Sequence, residues 1–227
     1  MWAELKDDWA YKDFHFRDIT RPQYRHLFLL LFWPVFLPCF FIVERLSVTR
    51  GFNLIHCAFD DMIPFCEIFI IPYVIWYPMV ALTIIFTAGF DVPVFIRFSK
   101  YLMITLTISL IIYLVWPSGH DLWLTEFPRD NILTRITQLL YRLDVNTNIC
   151  PSEHVTSGFG AVFAAMRTKR LSGKKWMIFF WTEAVLVVLS VVFVKQHSVI
   201  DVVAAIPVIL VGYMFSFYKK DQGVKST

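Results

Sequence analysis

The chain has 227 residues and is 57% hydrophobic and 18% aromatic, with only 17% charged residues and a formal net charge of +3. A soluble domain carries about a quarter charged residues, so composition excludes a water-soluble globular protein and points to an integral membrane protein with one membrane domain. No basic stripe on a soluble element is available, which argues against a nucleic-acid partner.

Residues 1–26 set Trp2, Trp9, Tyr11, Phe14, Phe16 and Tyr24 among charges, the pattern of a segment lying at headgroup depth. With Glu4, Asp7, Asp8, Asp13 and Asp18 interleaved among bases, this opening is not expected to act as a signal peptide. Six spans are then predicted. They run Leu27 to Val43 (with Pro34 and Pro38 as bend points), Ile63 to Ala88, Phe98 to Trp116, His154 to Met166 with its polar lead-in, Trp176 to Val194, and Ser198 to Phe217. A hydrocarbon core of about 30 Å needs roughly 20 helical residues, which the fourth reaches only by counting polar residues. That span is rich in small residues (Ser157, Gly158, Gly160, Ala161, Ala164, Ala165), as suits close helix packing in a bilayer.

Ahead of it, Ile132, Leu133, Ile136, Leu139, Leu140 and Leu143 recur at helical spacing, with Arg135, Gln138 and Arg142 on other faces. This predicts an amphipathic helix on the surface. The expected class is all-α, a six-helix transmembrane bundle over residues 27–217 with a tail at 218–227.

Lysines and arginines number 15 in the N-terminal segment, the second and fourth loops and the C-terminus, against 6 in the odd loops. By the positive-inside rule both termini are expected to be cytoplasmic. The third and fifth loops then share the extracytoplasmic or lumenal face, and each carries a polar knot. These are Cys150-Pro151-Ser152-Glu153-His154 and Lys195-Gln196-His197-Ser198-Val199-Ile200-Asp201. The helices that follow both aim their N-termini at that face, where unpaired N–H groups and the helix dipole favour an anion. His197 and Asp201, four apart, share one helical face; the carboxylate holds one imidazole nitrogen and leaves the other as nucleophile or base.

A capped interfacial turn is the bland alternative for that pair, as a plain N-cap is for Ser152 and headgroup snorkelling is for Lys195. The presence of His154 in the companion loop favours chemistry. Glu67 and Glu183 lie inside spans, where ionisable groups are costly and often functional, and Glu67 is within reach of a substrate. Cys39, Cys57, Cys66 and Cys150 show no metal-type spacing, and spacing alone does not favour a Cys57–Cys150 disulfide. Neither a metal nor a cofactor is expected.

Pro151-Ser152-x-His154 at the head of one span and His197-x-x-x-Asp201 at the head of another, 43 residues apart, resemble the type-2 phosphatidic acid phosphatase superfamily. The nearest flavour is its branch with the sphingomyelin and inositol-phosphorylceramide synthases, and the likeness covers the second half of the chain. It implies metal-independent phosphoryl transfer on a membrane lipid phosphate. His197 would attack phosphorus to form a phosphohistidine, and Asp201 would orient the imidazole. His154 would protonate the leaving alcohol and then activate water or another alcohol, while Ser152 and backbone amides hold phosphate oxygens. The family's Ser-Arg before the nucleophile is replaced here by Ser190-Val191, and its Lys-x6-Arg-Pro motif is absent. Lys195, Arg129 and Arg135 are the candidate phosphate ligands in their stead.

Trp116-Pro117-Ser118-Gly119-His120 spells Pro-Ser-Gly-His, but no apolar helix follows it, so it is not expected to be the second motif; His120 is expected only to line the site. The expected function is a lipid phosphate phosphatase. A lipid phosphotransferase, or a non-enzymatic transporter or lipid-binding protein of the same fold, are the alternatives. Oligomeric state is left open.

Overall fold

The computed structural model describes residues 9–218. Residues 1–8 of the expected interfacial segment and, Tyr218 apart, the expected tail lie outside them. Besides a 3-10 turn at Phe16–Asp18, the described residues form eight helices. They are α1 Pro22–Arg50, α2 Ala58–Met62, α3 Glu67–Phe90, α4 Val92–Val115, α5 Ile132–Leu143, α6 Glu153–Arg167, α7 Lys174–Phe193 and α8 Val199–Ser216. Two short strands, β1 Asn53–Leu54 and β2 Ser118–Gly119, pair in parallel.

Five helices, α1, α3, α4, α7 and α8, are long and apolar enough to cross a membrane. Large apolar side chains such as Val35, Leu82, Ile111, Val203 and Leu210 stay exposed along them. On a chain of this composition such a surface is suited to lipid. The architecture is that of a multi-pass, all-α membrane protein.

Prolines explain where the helices depart from the expected bounds. The first runs from Pro22 instead of Leu27, because a proline in the first helical turn forfeits no hydrogen bond. The second begins at Glu67 instead of Ile63. Pro64 disfavours helical geometry at the residue before it, and Ile63 is extended (φ −85°, ψ 112°). The third begins at Val92, where the Asp91 carboxylate caps the helix by accepting from the Val94 N–H at 3.3 Å.

Helix α6 has 15 residues, about 22 Å, and falls short of the length that a lone span needs. It lies at the centre, packed on α3, α4, α7 and α8, so its polar first turn meets protein instead of lipid. Small side chains make this fit. A Cβ at Gly160 would stand 2.4 Å from the Tyr101 ring of α4, and the Tyr101 hydroxyl donates to the Thr156 carbonyl at 2.8 Å. Gly160→Val is therefore expected to destabilise the bundle by about 1–3 kcal/mol through overpacking. Thermal unfolding in detergent checks this; an unchanged midpoint would contradict the close α4–α6 contact.

Candidate active site

The site forms where the chain enters α6 and α8. The turn from α7 to α8 is tight enough to force Lys195 into the left-handed region (φ 59°), uncommon for a residue with a side chain. Its ammonium group secures the turn by donating to the carbonyls of Asp60 at 2.7 Å and Ile63 at 2.5 Å. Ser198 then caps α8. Its hydroxyl accepts from the Ile200 N–H at 3.2 Å, and its own N–H donates to Asp201 Oδ2 at 2.8 Å, a capping box. The same Asp201 oxygen lies 3.3 Å from His197 Nδ1. The capped turn and the histidine–carboxylate pair are thus one structure.

His154 comes from the first turn of α6. Its Nδ1 is 3.3 Å from His197 Nε2, and its ring packs on Tyr73 and Trp76 of α3 at centroid distances of 4.7 and 4.4 Å. With Asp201 accepting from His197 Nδ1–H, a neutral His197 would present its Nε2 lone pair to His154 Nδ1–H. The two knots, 43 residues apart in sequence, meet at one end of the bundle. The imidazoles touch each other, which leaves no space for an anion between those two nitrogens.

Asp60, in the five-residue helix α2, is a site residue that the sequence reading missed. Its carboxylate accepts from Ser198 Oγ at 2.6 Å, Val199 N at 2.8 Å and Cys57 N at 2.8 Å. Burial alone would raise its pKa, but these donors outweigh burial and hold it below the ordinary carboxylate range. The N-terminus of α8, expected to seat a phosphate, is therefore already occupied by two carboxylates of the protein. Asp60 sits beside Asp61 in a five-residue helix too short to show a periodic pattern, so no local signal singled it out.

The expected cations are engaged elsewhere. Arg129 pairs with Glu67 at 2.7 Å, and Asn131 donates to the same carboxylate at 2.9 Å. Arg135 forms an exposed pair with Asp130 at 2.9 Å, and Lys195 serves the Asp60 and Ile63 carbonyls. Ser152 is fully buried, its N–H on the Asp201 carbonyl at 3.1 Å and its hydroxyl without a partner. His120 is not among the residues lining the cavity beside the histidine pair. It follows β2, buried, with Nδ1 accepting from the Leu122 N–H at 3.1 Å. The Pro-Ser-Gly-His stretch is a clasp between loops: a Cβ at Gly119 would lie 2.4 Å from Phe52, so glycine is needed for β1 and β2 to meet. All four cysteines are free. Burial, then the Asp201 carboxylate, push the Cys150 thiol up to about 12, which keeps it from acting as a thiolate.

A cavity of about 60 Å³ adjoins both imidazoles, lined in part by Glu44, Asp144, Glu153 and Tyr113. Burial holds the Asp144 carboxyl above the ordinary range. A larger groove of about 420 Å³, walled by Trp33, Leu37, Phe41, Tyr77 and Leu106, shares Phe40, Asp144, Glu153 and His154 with it. Leu37, Phe41 and Tyr77 are exposed, so this groove opens on the apolar flank of the bundle. Among the described residues, no three His, Cys, Asp or Glu side chains are grouped as metal ligands. Comparison with protein-family models, with curated proteins and with solved structures gave no match.

Burial, reinforced by repulsion from His197, lowers His120 from 6.5 to about 4. The unfolded chain therefore binds the His120 proton in a range where the folded chain does not. The stability this contributes is complete above the unfolded pKa and is lost as pH falls from about 6.5 to 4. The expected loss is of order 3 kcal/mol. Unfolding midpoints in detergent across that range should fall, and His120→Gln should flatten the slope.

Proposed function

We propose that the chain is a membrane-embedded phosphoryl-transfer enzyme acting on a lipid phosphate ester, of the type-2 phosphatidic acid phosphatase kind. The observation that carries this reading is the His154–His197–Asp201 line, two contacts of 3.3 Å, at the inner end of an apolar groove. Six helices with both termini in the cytoplasm and the site on the extracytoplasmic or lumenal face remain the arrangement we favour. It is supported by the charge bias of the loops and by the two histidines sharing one end of the bundle.

The chemistry runs in two steps. His197 Nε2 attacks phosphorus while the bond from phosphorus to the lipid oxygen breaks. His154, doubly protonated in the substrate complex, gives its Nδ1 proton to that oxygen and becomes neutral. Asp201 steadies the positive charge of the phosphorylated imidazole. In the second step the neutral His154 takes a proton from water, the hydroxyl bonds to phosphorus, and His197 Nε2 leaves with its lone pair. Substrate must first part the two rings. His197 is fixed by Asp201, whereas His154 rests on aromatic faces and can slide.

A lipid alcohol replacing water as acceptor is the second reading. It is favoured by the groove reaching His154, the group that would take the acceptor's proton. A transport role fits less well, since the polar groups gather at one end and not at mid-bundle.

Purified protein incubated with short-chain lipid phosphate esters in chelator should release product and trap an acid-labile phosphoryl group on His197, detectable by mass spectrometry. His197→Ala should lower turnover by roughly 10³-fold or more, and His154→Ala by about 10²–10⁴-fold. Turnover that survives His197→Ala, or that chelator abolishes, would overturn the mechanism.

A further inference from the structure

Thr147 Oγ1, Asn148 Nδ2, Glu153 Oε1 and Gln196 Nε2 are buried without a partner, and all four belong to residues lining the one cavity of about 60 Å³ beside His154 and His197. Thr147, Asn148 and Gln196 are only 5%, 6% and 3% exposed. Buried amides and hydroxyls are paired in nearly all native proteins, so three unpaired donors around one space mark the place of a ligand. Asn148 is held in a left-handed conformation (φ 58°) with Oδ1 accepting from Ser47 at 2.7 Å, which directs its NH2 group to the cavity. These donors suit anionic oxygens, but they are neutral.

The other lining groups carry the opposite preference. Glu44, Asp144 and Glu153 bring three acidic side chains to the cavity, and the rings of Phe40 and Tyr113 stand with them. Neither the cavity nor the adjoining groove is lined by a lysine or arginine. A doubly charged phosphate monoester here would meet these acidic groups with no lysine or arginine to offset its second charge. A singly charged phosphodiester that carries its own cation would be matched on both sides, since carboxylates and aromatic faces both attract ammonium groups.

We propose that this cavity, with the head of the groove, binds a zwitterionic phosphodiester lipid headgroup. Its phosphate would sit on Thr147, Asn148 and Gln196, and its ammonium group against Glu44 and Asp144. The assignment rests on the phosphoryl-transfer reading only in placing phosphorus beside His197; the headgroup preference itself is a binding property.

The test uses full-length His197→Ala protein in detergent with chelator present, so that neither turnover nor a divalent ion intervenes. Binding of dihexanoyl phosphatidylcholine, phosphatidylethanolamine, phosphatidylglycerol and phosphatidic acid is followed by tryptophan fluorescence. The choline or the ethanolamine lipid, or both, should bind at least about tenfold more tightly than the other two, and comparing them separates a quaternary from a primary ammonium. Glu44→Gln with Asp144→Asn should reduce that ratio to about threefold or less. Retained phosphatidic acid binding in this double variant reports an intact site, and Glu44→Gln alone serves where the pair does not fold. Thr147→Val should weaken all four lipids alike. Equal or tighter binding of phosphatidic acid or phosphatidylglycerol, a ratio indifferent to the carboxylates, or no binding of any of the four would overturn the proposal. Headgroup preference without turnover of any lipid by the unaltered protein would instead remove the catalytic reading and leave this one standing.

Discussion

The Asp60 carboxylate accepts from the Ser198 hydroxyl, the Val199 N–H and the Cys57 N–H, and in doing so fixes where α8 begins. Helix starts carry unpaired N–H groups and partial positive charge, and one that begins inside protein needs an acceptor supplied to it. With Asp60 in place, Ser198 is held at the cap, Asp201 folds back on the Ser198 N–H, and His197 is brought to Asp201 and His154. Lys195 closes the same arrangement from the other side through the carbonyls of Asp60 in α2 and of Ile63 just after it. Without this anchor the strained turn at Lys195 would lack a reason to persist.

A consequence is that the cations of this region are committed to architecture. Lys195 ties α2 to the α7–α8 turn, Arg129 ties the loop before α5 to Glu67 at the start of α3, and Arg135 stays with Asp130 at the surface. What faces the histidines is a set of carboxylates and neutral amides. The missing arginine at Val191 belongs to the same pattern. Val191 is fully buried in the apolar cluster with Tyr73, Val155 and Ala205, where a guanidinium would carry a heavy desolvation penalty.

Much of this was legible from periodicity. Long apolar runs announced the helices, and the 3.6-residue repeat placed α5 at Ile132–Leu143 as the structure has it; His197 does meet Asp201, but from the residue before the Ser198 cap and not along a helical face. The small residues of α6 foretold its close packing, as Gly160 against Tyr101 shows. What escaped was held by contacts without a repeat. Asp60 lies 138 positions from Ser198 in a short loop helix, and Thr147, Asn148 and Gln196 look like ordinary turn residues until burial shows them unpaired. The basic residues misled because charge alone does not say which way a side chain turns. Arg129 and Glu67 are 62 apart in sequence and nothing local links them.

The clasp between Asp60 and α8 also bears on biogenesis. Helix α8 leaves a ribosome after the other described helices, and the loop that caps it is made well over a hundred residues earlier. During membrane insertion the early loop must wait with an unmatched carboxylate until the final hairpin arrives. A chain inserted only as far as α7 would therefore hold His154 without His197, and the contact between the two rings forms only once the α7–α8 turn is in place.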